Sequence, residues 1–354
     1  MKKKIFIICI ILSFIITLFV YADEVRFAKY VTFTSTNDEF TAKNVQDAID
    51  ELYESIEDCD YSDLEIETEK GETLASEIIY DVTNSNSKYK NVKENIDALY
   101  KIINYCKMPD KISSFAEDDW DVIQFAVQNN LTDKYNVGDT KCIKLDGFTT
   151  TNDNGCDNGE FAVRIANMST PSACSTNGFS QTACGFVLEF VDIITNYGFA
   201  TSGSNAGGWP ASIMRTYVNN DIYNSIPDDL QAVIADTAVV SGHGSKSGES
   251  NFESKDKLYL LSMSEVYIDG TSRPITLDSA KNLSRQLDYY ASNNVTTSSY
   301  SSAIKMKNGS NYSWLLRTPT SSYGAYYIRI LNTGSWDIQL AYNYDGVSPA
   351  FRIG

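Results

Sequence analysis

Polar and apolar positions alternate most regularly near the end of this chain. In Trp336-Asp337-Ile338-Gln339-Leu340 the apolar residues fall on every second position, the period of a strand with one buried and one wet face. Ile338 and Leu340 are expected to face the core, and Asp337, Gln339 and Ala341 the solvent. Further apolar runs occupy 314–316, 326–331 and 347–353. Asn332-Thr333-Gly334-Ser335 and Asn343-Tyr344-Asp345-Gly346 supply turn chemistry between them. The pattern predicts a terminal antiparallel β-module over 312–354.

A second pattern is helical, and it is repeated. Asn44-Val45, Ile49-Asp50, Leu52-Tyr53, Ile56 and Cys59 recur as Asn91-Val92, Ile96-Asp97, Leu99-Tyr100, Ile103 and Cys106. Val45, Ile49, Leu52 and Ile56 form an apolar stripe at helical spacing. Asn44 and Asn91 suit helix N-caps, with Asp47 and Glu94 three residues on. Each copy reads as an extended piece (31–36; 78–83), a polar loop and a short helix. Residues 23–111 therefore read as two strand-helix repeats serving as a stalk or spacer. Helices this short need a partner, and a homo-oligomer through the stripes is one expectation. A Cys59–Cys106 bridge would hold the two helices side by side.

Beyond Pro109 the periodicity changes. A helix is expected over 118–130, and two strands over 137–148 and 160–166 around a polar loop. Residues 186–194 read as a buried strand. Ala206-Gly207-Gly208-Trp209-Pro210 turns the chain into a helix over 211–219, and Pro227 opens another. A Gly/Ser loop over 241–254 precedes a strand over 257–261. An amphipathic helix is expected over 278–290, and a Ser/Thr/Asn loop over 293–311. No charge run or Pro-rich linker divides 112–354, so it reads as one α+β domain.

Composition fixes the compartment. Met1-Lys2-Lys3-Lys4 and then the uncharged run 5–22, ending Val20-Tyr21-Ala22, read as a signal peptide or an N-terminal anchor. Either way the remainder is placed outside the cell. Cys9 lies in that segment. The other cysteines, Cys59, Cys106, Cys142, Cys156, Cys174 and Cys184, are an even set in an exported chain and read as disulfides. Six allow fifteen pairings. Cys142 with Cys156 would span a polar loop, and Cys174 with Cys184 would close a tight one. No C-x-x-C occurs and the chain has one His, so zinc is disfavoured. A net charge of −17 argues against nucleic acid or anionic lipid as a partner.

Several stretches resemble known families. Asn44-Val45-Gln46-Asp47-Ala48-Ile49-Asp50-Glu51-Leu52-Tyr53 resembles a repeat of Gram-positive surface and phage-tail-like proteins, which implies a presenting element. Gly208-Trp209-Pro210, Asp256-Lys257-Leu258-Tyr259-Leu260-Leu261-Ser262, Trp314-Leu315-Leu316-Arg317-Thr318-Pro319 and Gly346-Val347-Ser348-Pro349-Ala350-Phe351 follow in this order. Together they resemble the bacterial domain of unknown function 6273, over about 112–354. The C-terminal order of Trp, Arg, Gly-Ser-Trp and Pro-Ala-Phe-Arg is also similar to C-type-lectin-like modules of the formylglycine-generating-enzyme type. Those enzymes depend on reactive Cys, absent from the terminal module, so their activity is not implied here.

No catalytic constellation emerges. His243 sits in a Gly/Ser loop without a nucleophile elbow. Asp118-Asp119 and Asp228-Asp229 suit helix starts. Asp153 and Asp157 fall in a loop with the oxygens of a weak calcium site, without the closing Glu of an EF-hand. The better signal is compositional. Tyr323, Tyr326, Trp336, Asp337, Tyr342, Asn343, Tyr344 and Asp345 combine large rings with adaptable polar groups, the make-up of a recognition surface. The expectation is an extracellular or cell-surface module that binds a protein or glycan, without cofactor or catalysis. A glycan hydrolase using unidentified carboxylates and a structural appendage subunit are the alternatives.

Overall fold

A computed structural model describes residues 26–27, 43–54, 78–79, 99, 112–268 and 273–354. The chain divides into two units, Met1–Lys111 and Ile112–Gly354. In the first, β1 (Arg26–Phe27) lies parallel to β2 (Ile78–Ile79). Helix α1 (Val45–Glu54) begins at Asn44, whose Oδ1 accepts the Asp47 amide at 2.9 Å while its Nδ2 donates to the Asp47 carboxylate at 2.8 Å. The cap satisfies an amide that no helical carbonyl reaches. Val45, Ala48 and Ile49 are buried. The expected export segment, the expected extended piece over 31–36, Cys59 and Cys106 lie outside the described residues, as does the second repeat's expected helix apart from Leu99.

The second unit is α+β. Its strands are β3 (Thr140–Ile143), β4 (Phe161–Asn167), β5 (Val187–Phe190), β6 (Thr195–Tyr197), β7 (Thr237–Ser241) and β8 (Phe252–Asp256). There follow β9 (Lys305–Lys307), β10 (Ser310–Tyr312), β11 (Trp314–Pro319), β12 (Tyr326–Ile330), β13 (Trp336–Leu340), β14 (Asp345–Val347) and β15 (Ala350–Arg352). Its helices are α2 (Trp120–Gln128), α3 (Ile213–Tyr217), α4 (Asp228–Val233), α5 (Met263–Val266), α6 (Arg273–Thr276) and α7 (Asp288–Ser292).

An antiparallel sheet in the order β15-β5-β4-β3 forms one layer. Both central strands are buried along their whole length, which is why they read as near-continuous apolar runs. A second sheet runs β13-β12-β11-β14-β6. Here the expected antiparallel module needs correction: Trp314 of β11 pairs in parallel with Gly346 of β14. The run over 347–353 is also not one strand. It breaks at Ser348-Pro349, and β15 joins the other sheet. Pro349 has no amide for a ladder, but its carbonyl accepts from Phe190 at 3.0 Å. The last fifteen residues thus tie the two sheets together.

Other expectations change in instructive ways. Helix α3 starts at Ile213, with Ser212 Oγ accepting the Arg215 amide, and continues through a π-turn (Val218–Ile222) to Ser225. Asn219 in that turn clamps the neighbouring chain, accepting from the Lys257 and Leu258 amides and donating to the Leu258 carbonyl. Residues 258–261 are buried, but only Tyr259 makes a ladder contact, with Ala350. The expected amphipathic helix over 278–290 shrinks to α7. Asp278 accepts from the Thr318 hydroxyl, and Ser279, Ser284 and Arg285 likewise spend their side chains on tertiary hydrogen bonds. The Ser/Thr/Asn loop contains the hairpin β9–β10, turning on Asn308 (φ 49°) and Gly309 (φ 77°).

Candidate functional site

Two buried ion-pair networks hold the domain's interior. Arg317 lies at 0% exposure between Glu265 Oε1 (2.5 Å) and Oε2 (2.6 Å), and also donates to the Leu260 carbonyl at 2.7 Å. Thr182 joins the same carboxylate. Burial pushes the Glu265 carboxyl up, but Arg317 and these hydrogen bonds win and hold it below its usual range. In the second network Glu189 accepts from Arg164 (2.8 Å), Lys305 (2.8 Å) and Tyr290 (2.8 Å). Burial draws the Lys305 ammonium down to about 8 despite Glu189. Asp256, a third buried acid, is shared by Trp209 Nε1 (2.9 Å) and Arg215 Nε (2.6 Å). Each carboxylate has its donors inside the protein, the arrangement of structural anchors rather than of groups awaiting substrate.

The adjacent acids also have local duties. Asp118 accepts the Ser113 amide and the Tyr135 hydroxyl, and Asp228 and Asp229 occupy the first turn of α4. His243 is half-buried, its ring Nδ1 against the Gly244 carbonyl at 2.6 Å. Asp153 and Asp157 are exposed, while Asn152 and Asn154 turn inward to Asp192. Among the described residues no three His, Cys, Asp or Glu side chains gather as metal ligands.

The aromatic residues of the terminal module behave differently. Tyr323, Tyr342 and Tyr344 are 41%, 44% and 65% exposed. Among the described residues, Ile268 is the other large apolar side chain left so open. Neighbouring rings extend this surface. Tyr344 meets Tyr197 edge-on at 5.7 Å, and Tyr197 stacks on Tyr217 at 4.0 Å. Tyr323 meets Tyr326 edge-on at 6.3 Å, and its hydroxyl accepts from Arg273 at 3.0 Å. Tyr342 and Ala325 both border Gly203, where a Cβ would lie 3.5 Å from the Tyr342 ring. Buried Asn205 fixes the 320–326 loop by donating to the carbonyls of Thr320, Tyr323 and Tyr326.

Not all eight expected residues share this surface. Register puts Tyr326 and Trp336 on one face of the β12–β13 pair and Asp337 on the other. The expected in–out alternation of β13 fails: all five residues are half-buried and Ala341 is buried. The cause is that β13 is a sheet edge, covered incompletely on both sides. Asp337 and Asp345 bind Arg329 at 2.8 and 2.9 Å, and Asn343 donates to Gln339 at 2.9 Å. Asp345 is buried and serves the fold. Tyr197 and Tyr217 were not among the expected residues. They stand far away in sequence, and only the β6–β14 pairing, Tyr197 opposite Asp345, brings them in.

Two disulfides stiffen the domain, Cys142–Cys156 and Cys174–Cys184. Among the described residues no helix is long and apolar enough to cross a membrane. No curated protein and no solved structure matches the chain. Residues 187–354, which hold the tyrosine surface and every strand from β5 onward, match the model of a domain of unknown function, DUF6273.

Proposed function

We propose that residues 112–354 form an exported, non-catalytic binding module whose contact surface is the exposed tyrosine cluster around Tyr323, Tyr342 and Tyr344. The observation that carries the reading is that these rings stand in water although the same domain buries Trp209, Trp314, Tyr259, Tyr267 and Tyr290 almost completely. Exposed tyrosines on a rigid frame offer contact area at low entropic cost. Tyr323 is set by Arg273, and Tyr344 by the Tyr197–Tyr217 stack, so the rings are preorganised.

Two disulfides suit an oxidising compartment, which supports a cell-surface or secreted location. The lectin-like comparison belongs to the same proposal and rests on the order of the C-terminal motifs. Residues 23–111 serve as the presenting stalk. The ligand class that fits is a glycan or an extracellular protein, both of which aromatic surfaces engage. Full-length protein applied to glycan and extracellular-protein arrays tests the reading. Hits that disappear with Tyr344→Ala support it; hits that persist with all three tyrosines replaced, or turnover of an arrayed glycan, refute it.

A further inference from the structure

A separate feature lies on the β7–β8 hairpin. An open cleft of about 470 Å³ is lined by Gln181, Asp236, Ala238, Glu253, Lys255 and Arg352, with Ser254 at its wall. The volume is that of a small-molecule site. Arg352 is its unusual member. The arginines at 164, 215, 285, 317 and 329 each bind a carboxylate, and Arg273 donates to Tyr323. The Arg352 guanidinium makes no hydrogen bond or ion pair among the described residues, and its Nε is buried. A buried guanidinium nitrogen without an acceptor is costly. Where the arginines at 164, 215, 285, 317 and 329 each meet a carboxylate, one lining a cleft with no acid partner among the described residues marks a place for an anion.

The other lining charges narrow the class. Lys255 is occupied by Asp236 at 3.0 Å. Glu253 is exposed on the same hairpin. Formal charges of the lining therefore cancel, which disfavours a phosphate or polyanion and suits a ligand carrying one charge of each sign. We infer that this cleft binds a small zwitterion of the amino-acid type, its carboxylate on Arg352 and its ammonium toward Glu253. Planar, bidentate pairing with a carboxylate is what a guanidinium does best. Asp236, the other lining acid, is held by Lys255 at 3.0 Å and by Lys257 at 3.3 Å.

The test is calorimetric titration of the full-length protein with each free amino acid, alongside the methyl ester and N-acetyl form of any that binds, and inorganic phosphate. Arg352→Gln and Glu253→Gln are measured in parallel, with near-UV circular dichroism to verify folding. The expected result is saturable binding of at least one amino acid. It should weaken roughly thirtyfold or more in Arg352→Gln and with the methyl ester. The blocked-ligand arm needs only the unmodified protein, so it decides the matter even if Arg352→Gln misfolds. No binding by any amino acid, unchanged affinity for the ester, or tighter binding of phosphate overturns the inference.

Discussion

Arg317 shows how one residue can decide a domain's interior. Its guanidinium draws Glu265, Thr182 and the Leu260 carbonyl together at zero exposure. Removing one member leaves the other charge buried and unpaired. Arg317→Met is therefore expected to destabilise the domain by about 3–5 kcal/mol, read from urea melts. The double change Arg317→Met with Glu265→Leu should cost less than the sum of the two single changes, because it leaves no orphan charge. Buried tyrosines give a second residue-scale expectation. Burial pushes the hydroxyls of Tyr135, Tyr259, Tyr267, Tyr290 and Tyr327 well above the ordinary tyrosine value. A folded pKa above the unfolded one means stability fully present below about pH 10 and lost as pH rises further. Absorbance at the tyrosinate band should rise in two phases. At least these five of 23 tyrosines should ionise only as the protein unfolds. A single reversible phase near pH 10 with the fold intact would contradict the burial described here.

Element-scale behaviour turns on how each segment satisfies its backbone. Cys174 and Cys184 are buried, whereas Cys142 is exposed in β3 and Cys156 half-buried in the loop that follows. Mild reductant should therefore open Cys142–Cys156 first, as mapped by alkylation and mass spectrometry. Losing either bridge should cost roughly 3 kcal/mol, in keeping with loops of this length. Both pairings were legible because each closes a short loop. So were the Asn44 cap and the buried strands β4 and β5, whose signals are local. The β9–β10 hairpin was legible too, in Asn308-Gly309, but the Ser/Thr/Asn bias around it hid the signal. What sequence could not yield was long-range commitment. Nothing local says that Ser279 will bond Asn251, or that Asn219 will hold residues 257–258, so the helix over 278–290 and the strand over 257–261 were misread. The candidate surface divides the same way: Tyr323, Tyr342 and Tyr344, picked from composition, are exposed, but Asp345 was spent on Arg329 and Tyr197 arrived by strand pairing.

At the scale of the whole molecule, a stiff disulfide-bonded domain holds a set of rings in water, and the account depends on those rings being there to touch something. Replacing Tyr323, Tyr342 and Tyr344 together by Ser should leave the fold almost unchanged, because exposed positions contribute within about 0.5 kcal/mol each. Binding should behave oppositely, since aromatic anchors carry about 2 kcal/mol or more apiece when buried at an interface. The most direct measurement is surface plasmon resonance of the unmodified and triple-Ser proteins against the strongest array ligand, with thermal melts of both. The account predicts a melting temperature within a few degrees and binding lost beyond detection. Unchanged binding by a well-folded triple variant would contradict it.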